Sequence, residues 1–110
     1  MTPPSRDLLQ GTVDVLILRT LAWRPMHGYG IARFVRERSQ GAIAIESAAL
    51  YQALHRLEHK KWVRSTWKLT DTNRRARFYE LTTPGRAQLR RERHELHTYM
   101  DALRMVLGPL

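Results

Sequence analysis

One hairpin interrupts a chain whose pattern is otherwise helical, and that interruption constrains the fold more than any other feature. Residues 62–69 are rich in Trp, Val and Thr, and residues 75–81 form a second strand-like run. Between them Thr70-Asp71-Thr72-Asn73-Arg74 is turn chemistry. Three helical stretches precede the hairpin and one follows it. An isolated hairpin is marginal in water, so this one must pack on the helices.

The helical stretches differ in how much of their surface is apolar. Residues 7–23 carry Leu8, Leu9, Val13, Val15, Leu16, Ile17, Leu18, Leu21 and Ala22 on more than one face, which predicts a helix between two neighbours. Ser5 is its expected N-cap, Asp7 suits its first turn and Pro25 ends it. His27-Gly28-Tyr29-Gly30 opens a shorter helix to about residue 38, with one buried stripe of Ile31, Phe34 and Val35. Ser39-Gln40-Gly41 breaks it, and the alternation of Ile43 and Ile45 predicts a short extended segment.

The third helix, predicted over residues 47–61, puts Leu50, Leu54 and Leu57 in a narrow arc flanked by Ala53. Its opposite arc holds Ala48, Gln52, His55 and His59, bordered by Tyr51 and Arg56. This face is small, polar and rich in hydrogen-bonding groups, unlike an ordinary charged solvent face. The last helix, over residues 84–107, has Thr82 or Thr83 as cap and Pro84 in its first turn, and stops at Gly108-Pro109. Leu89, Leu96 and Leu103 recur every seven residues, with Tyr99, Met100, Val106 and Leu107 widening the stripe.

Composition narrows the chemistry. A length of 110 residues suits one domain, and the absence of Cys excludes disulfides, thiol catalysis and Cys-ligated metal. The longest apolar run, residues 15–18, is far too short to span a membrane. With no secretory signal in the pattern, a cytoplasmic location is expected. The net charge of +9 is concentrated: residues 54–93 hold 12 Lys/Arg against 4 Asp/Glu. Such a basic face attracts polyanions, nucleic acid phosphates above all. His55 with His59, and His94 with His97 and Asp101, fall at helical spacing but lack the company of a metal site. No nucleophile elbow or Gly-rich phosphate loop is present, so neither an enzyme nor a cofactor is expected.

This order of elements predicts a mainly α fold with a small β-hairpin: a winged helix-turn-helix over residues 1–83 and a C-terminal dimerisation helix over 84–110, one structural unit. In that reading the third helix enters the major groove of double-stranded DNA. Ser47, Ala48, Tyr51, Gln52, His55, Arg56, Lys60 and Lys61 then line the interface, with Gln52 suited to read adenine. Asn73, Arg74, Arg75 and Arg77 serve the wing, where cations reach phosphates or a minor groove. The final stripe needs covering, and a twofold homodimer through Leu8, Leu9, Leu16, Leu89, Leu96, Tyr99, Met100, Leu103 and Leu107 would cover it and match a palindromic operator. The alternatives are an RNA-binding or a protein-interaction winged helix without operator specificity. The first calls for exposed aromatics, and few are expected at exposed positions of the basic segment.

Four motifs then carry a family resemblance: Leu9-Gln10-Gly11-Thr12-Val13-Asp14, Met26-His27-Gly28-Tyr29-Gly30-Ile31, Leu50-Tyr51-Gln52-Ala53-Leu54-His55-Arg56-Leu57-Glu58 and Arg75-Ala76-Arg77-Phe78-Tyr79-Glu80-Leu81-Thr82-Thr83-Pro84-Gly85-Arg86. In order and spacing they resemble the PadR family of transcriptional regulators, in its smaller branch with a single C-terminal helix. The resemblance implies a dimeric winged-helix repressor, released by a small hydrophobic effector or a stress signal. Leu96, Tyr99 and Met100 are the candidates for lining the effector site. Two departures stand out. Ala48-Ala49-Leu50-Tyr51-Gln52 replaces the family's Gly-Ser/Thr-Leu-Tyr-Pro run, so no operator sequence carries over. No Trp follows Trp67, which removes the aromatic stacking of drug-sensing members.

Overall fold

The structure, a computed structural model, describes residues 6–109, with side chains from residue 11 onward. Ser5 and the side chains of Asp7, Leu8 and Leu9, expected at the first cap and the dimer seam, lie outside the described residues. The first helix, α1 (Arg6–Trp23), runs through the middle of the molecule. Val15, Ile17, Leu18 and Leu21 are buried, as are Asp14 and Thr20, so the helix is covered on more than one face. The Thr20 hydroxyl is satisfied by donating to the Leu16 carbonyl at 2.8 Å.

Pro25 turns the chain into a two-residue strand, β1 (Met26–His27), followed by α2 (Gly28–Arg38). His27 caps α2: its Nδ1 accepts from the Gly30 N–H at 3.0 Å. Ile31 and Val35 are buried beneath it and Phe34 is half-buried. After Gln40 and Gly41, both at positive φ, residues 43–46 run irregularly to α3 (Ser47–His59). The extended segment expected at Ile43 and Ile45 is therefore not a strand. Only Ile45 turns inward against the core, and the ladder position beside the hairpin is taken by Met26–His27.

The hairpin comprises β2 (Val63–Leu69) and β3 (Arg75–Leu81), paired from Val63↔Leu81 to Leu69↔Arg75. With β1 it makes an antiparallel sheet in the order β1-β3-β2. Leu50, Ala53, Leu54 and Leu57 of α3 meet α1, Val63, Tyr79 and Leu81 in a single core. The outer half of the hairpin leaves that core and stands free as a wing.

The final helix, α4 (Thr83–Leu107), is rooted by an interlocked junction. α3 closes with the Trp62 N–H donating to the Leu57 carbonyl and the Lys61 N–H to that of Glu58, both at 3.0 Å. That geometry needs a left-handed residue, and Lys61 supplies it at φ 64°. Thr82 then caps α4 by accepting from the Gly85 N–H at 3.0 Å while its hydroxyl donates to the Lys61 carbonyl at 2.7 Å. Gly85 crosses so close to the Trp62 carbonyl that a Cβ would overlap its oxygen. α4 then packs on α1, which buries Leu89 and half-buries Leu96. In a single copy Leu89 is thus buried in the chain's own core, where its turn of α4 faces α1.

Candidate nucleic-acid interface

With its leucines turned into the core, α3 presents Ser47, Ala48, Tyr51, Gln52, His55 and His59 to solvent. None of these is acidic. Lys60 and Lys61 continue the face past the helix end, with the Lys60 ammonium 4.8 Å from the Trp62 ring. Arg56 sits deeper than the sequence suggests. Its Nη2 donates to Asp14 Oδ1 at 2.8 Å, with only 29% of the Arg56 and 11% of the Asp14 side chain exposed. Burial pushes the Asp14 carboxyl up from its ordinary value, while Arg56 and then Lys60 oppose that rise. Arg56 therefore works first as a strut fixing α3 on α1.

Arg77 is committed in the same way. Its guanidinium bonds both Glu58 oxygens, at 3.0 and 3.1 Å, and donates to Ser65 Oγ at 2.7 Å. This ties β3 to α3 and sets the angle between wing and helix. The free cations lie farther out. Among the described residues, Lys61, Arg74 and Arg75 have no acidic side chain within ion-pair distance. Asn73 takes the left-handed conformation (φ 63°) that closes the wing turn, and its N–H donates to the Thr70 carbonyl at 2.9 Å. It shapes the tip that carries Arg74.

Between wing and helix lies a cleft lined by Gly28, Tyr29 and Tyr51 on one side and Trp67, Arg74, Arg75 and Arg77 on the other. Aromatics are more exposed here than the sequence pattern suggested: Tyr29, Tyr51 and Trp67 are 66%, 53% and 58% exposed. The Tyr51 ring lies over Gly28, where a Cβ would come within 2.5 Å of its hydroxyl oxygen, so the glycine makes room for it.

The residues expected to meet a second copy separate along α4. Leu16 and Leu96 are half-buried and Met100 partly so, whereas Tyr99, Leu103 and Leu107 are exposed. Of the effector candidates, Leu96 packs against the core and Met100 is partly covered, while Tyr99 is open to solvent in a single chain. No helix among the described residues is long and apolar enough to cross a membrane.

Comparison with known proteins fits this geometry. Residues 17–91 match the model of the Transcriptional regulator PadR-like family. An uncharacterized protein of Lysinibacillus sphaericus is 28% identical over 83 residues, covering 76% of each chain. A transcriptional regulator from Clostridium thermocellum shares the fold at TM-score 0.83 and 24% identity, over 96% of this chain and 100% of its own. A PadR family regulator from Clostridium difficile is 28% identical at TM-score 0.75, over 87% and 98% of the two chains. One from Eggerthella lenta is 26% identical at 0.76, over 94% and 88%. The four helices and small antiparallel sheet are thus the winged-helix arrangement of these regulators. The chain belongs to the PadR-like family, a family of DNA-binding transcriptional regulators and not of enzymes.

Proposed function

We propose that the protein is a homodimeric, sequence-specific repressor that holds a palindromic operator with α3 and the wing. The observation that carries this reading is the exposed face of α3, free of carboxylates and flanked by unpaired cations on the wing. Gln52, with Ser47, Ala48 and His55 beside it, faces out where an amide can read a base edge. Lys60, Lys61, Arg74 and Arg75 supply phosphate affinity, and Tyr51 and Asn73 complete the surface. Arg56 and Arg77 hold the two reading elements at a fixed angle through Asp14 and Glu58.

The second half of α4, with Leu16 and the first turns of α1 around Leu8 and Leu9, is the dimer seam in this proposal. It makes residues 1–83 the reading domain and 84–110 the assembly element of one unit. A small hydrophobic effector that entered the seam beside Leu96, Tyr99 and Met100 would change the spacing of the two recognition helices and release the operator. A cytoplasmic location follows from that role.

Footprinting on the DNA upstream of its own gene tests the reading, with Arg75→Ala and Gln52→Ala as variants. Arg75→Ala is expected to weaken binding to all duplexes about tenfold and lower the salt slope by about one. Gln52→Ala is expected to alter sequence preference and leave binding to random DNA unchanged. Equal losses on operator and random duplex for Gln52→Ala would remove it from base reading. Preference for single-stranded RNA over duplex DNA would overturn the whole assignment.

A further inference from the structure

We infer that Trp67 is a DNA-contact residue, its indole forming the apolar wall of the cleft between wing and α3, against the sugar–phosphate strand that divides the two grooves. This rests on the DNA-binding reading above and adds to it a residue that neither charge nor motif pointed to. A duplex with α3 in its major groove and the wing at the neighbouring minor groove must pass the intervening strand between them. That passage is the cleft of about 760 Å³ with Tyr29 and Tyr51 on the helix side and Trp67 on the wing side.

Strand alternation puts Trp67 there. Val63, Ser65 and Trp67 share one face of β2; Val63 is buried and Ser65 bonds Glu58, but by Trp67 the hairpin has left the core. The indole, opposite Arg77 in the ladder, is left 58% exposed. On the same face the Arg75 guanidinium lies 5.2 Å from its ring centre. An indole beside a guanidinium matches a nucleic acid backbone, whose deoxyribose offers C–H surface and whose phosphate offers charge. The contact is sequence-independent, so it contributes affinity and not operator choice.

A mixed-sequence 30-base-pair duplex is the probe, with Trp67→Ala, Trp67→Phe and Arg75→Ala compared at several salt concentrations. Trp67→Ala is expected to bind about tenfold more weakly while keeping the wild-type salt slope, because it removes apolar burial and no charge. Trp67→Phe is expected to recover most of that loss. Duplex should quench wild-type tryptophan emission, and the quench should fall by more than half in Trp67→Phe, where Trp23 and Trp62 remain. That fluorescence difference reads the contact even if Trp67→Ala folds poorly. Affinity for Trp67→Ala within twofold of wild type, or a quench undiminished in Trp67→Phe, overturns the contact and leaves the DNA reading standing. A wild-type protein that binds no duplex overturns both.

Discussion

Residues 83–96 and residues 99–107 belong to one uninterrupted helix, yet the first segment is held by its own chain and the second is nearly bare. In the first, Gly85 and Leu89 are buried and Leu96 half-buried against α1. In the second, Met105, Val106 and Leu107 are 78%, 86% and 71% exposed, with Tyr99 and Leu103 also open. The same seven-residue stripe therefore has two fates. Helical periodicity names the apolar side of a helix; it does not say what covers that side, or where along the helix the cover ends. An exposed apolar strip at the end of a rooted helix is what a second copy of the chain would bury.

The strongest way to break this comparison is to unseat the root. In Gly85→Ala the new methyl meets the Trp62 carbonyl, with the Trp62 carbonyl carbon and Leu81 Cδ1 both within 2.9 Å. Backbone cannot swing aside as a flexible side chain does, so a loss of about 3 kcal/mol and about 10 °C in Tm is expected. Thermal unfolding followed by circular dichroism reads it; an unchanged Tm would mean that α4 does not begin where Thr82 and Trp62 hold it. The bare half should respond in the opposite way. Placing carboxylates there with Leu103→Glu and Val106→Glu should weaken self-association about 100-fold and barely alter the fold of the monomer. Sedimentation at micromolar concentration separates these effects, and a wild-type chain that sediments as a monomer would remove the seam.

What the sequence made legible follows the same division between local and long-range causes. The arc of Leu50, Ala53, Leu54 and Leu57, the cap Thr82 and the wing turn around Asn73 depend on residues within a few positions, and the structure has them where the pattern put them. The strand Met26–His27 was not legible, because two residues carry no alternation to read and their partner Phe78-Tyr79 lies far along the chain. The same distance hid the roles of Arg56 and Arg77, whose acids Asp14 and Glu58 are 42 and 19 residues away. From sequence both arginines counted as free charge. The exposure of Trp67 was not legible for a different reason: whether a strand residue is covered depends on where the hairpin leaves the core.

A subtler test lies inside the rooted half. Glu92 on α4 has one carboxyl oxygen buried without a hydrogen-bond donor among the described residues, while the other accepts from Gln88 Nε2 at 2.8 Å. Burial, chiefly, and the nearby charge of Asp14 raise its pKa, with Gln88 and Lys60 pulling the other way. A carboxyl with a raised folded-state value favours the native state when protonated, and that contribution is lost as pH rises through the raised value. Glu92→Gln should therefore stabilise the protein by about 1 kcal/mol at pH 8. The advantage should shrink to nothing on acidification below the ordinary glutamate range. Urea midpoints at both pH values measure it, and a gain equal at both would mean that the charge is not the cause.

The smallest expected effect sharpens the comparison most, because it tightens the root without touching the bare half. Lys61 holds a left-handed conformation that costs a non-glycine residue about 1 kcal/mol, and its carbonyl accepts the Thr82 hydroxyl that caps α4. Lys61→Gly relieves the strain but gives the unfolded chain more freedom, so the net gain should be about 0.5 kcal/mol. It also removes one exposed cation beside the α3 face, which should weaken duplex binding a few-fold and lower the salt slope by up to about one. Self-association should stay at the wild-type value, since the proposed seam on α4 begins about four helical turns beyond its N-terminus. If stability rose while association changed with it, the two halves of α4 would not be independent, and the exposed strip would owe its exposure to the root rather than to a missing partner.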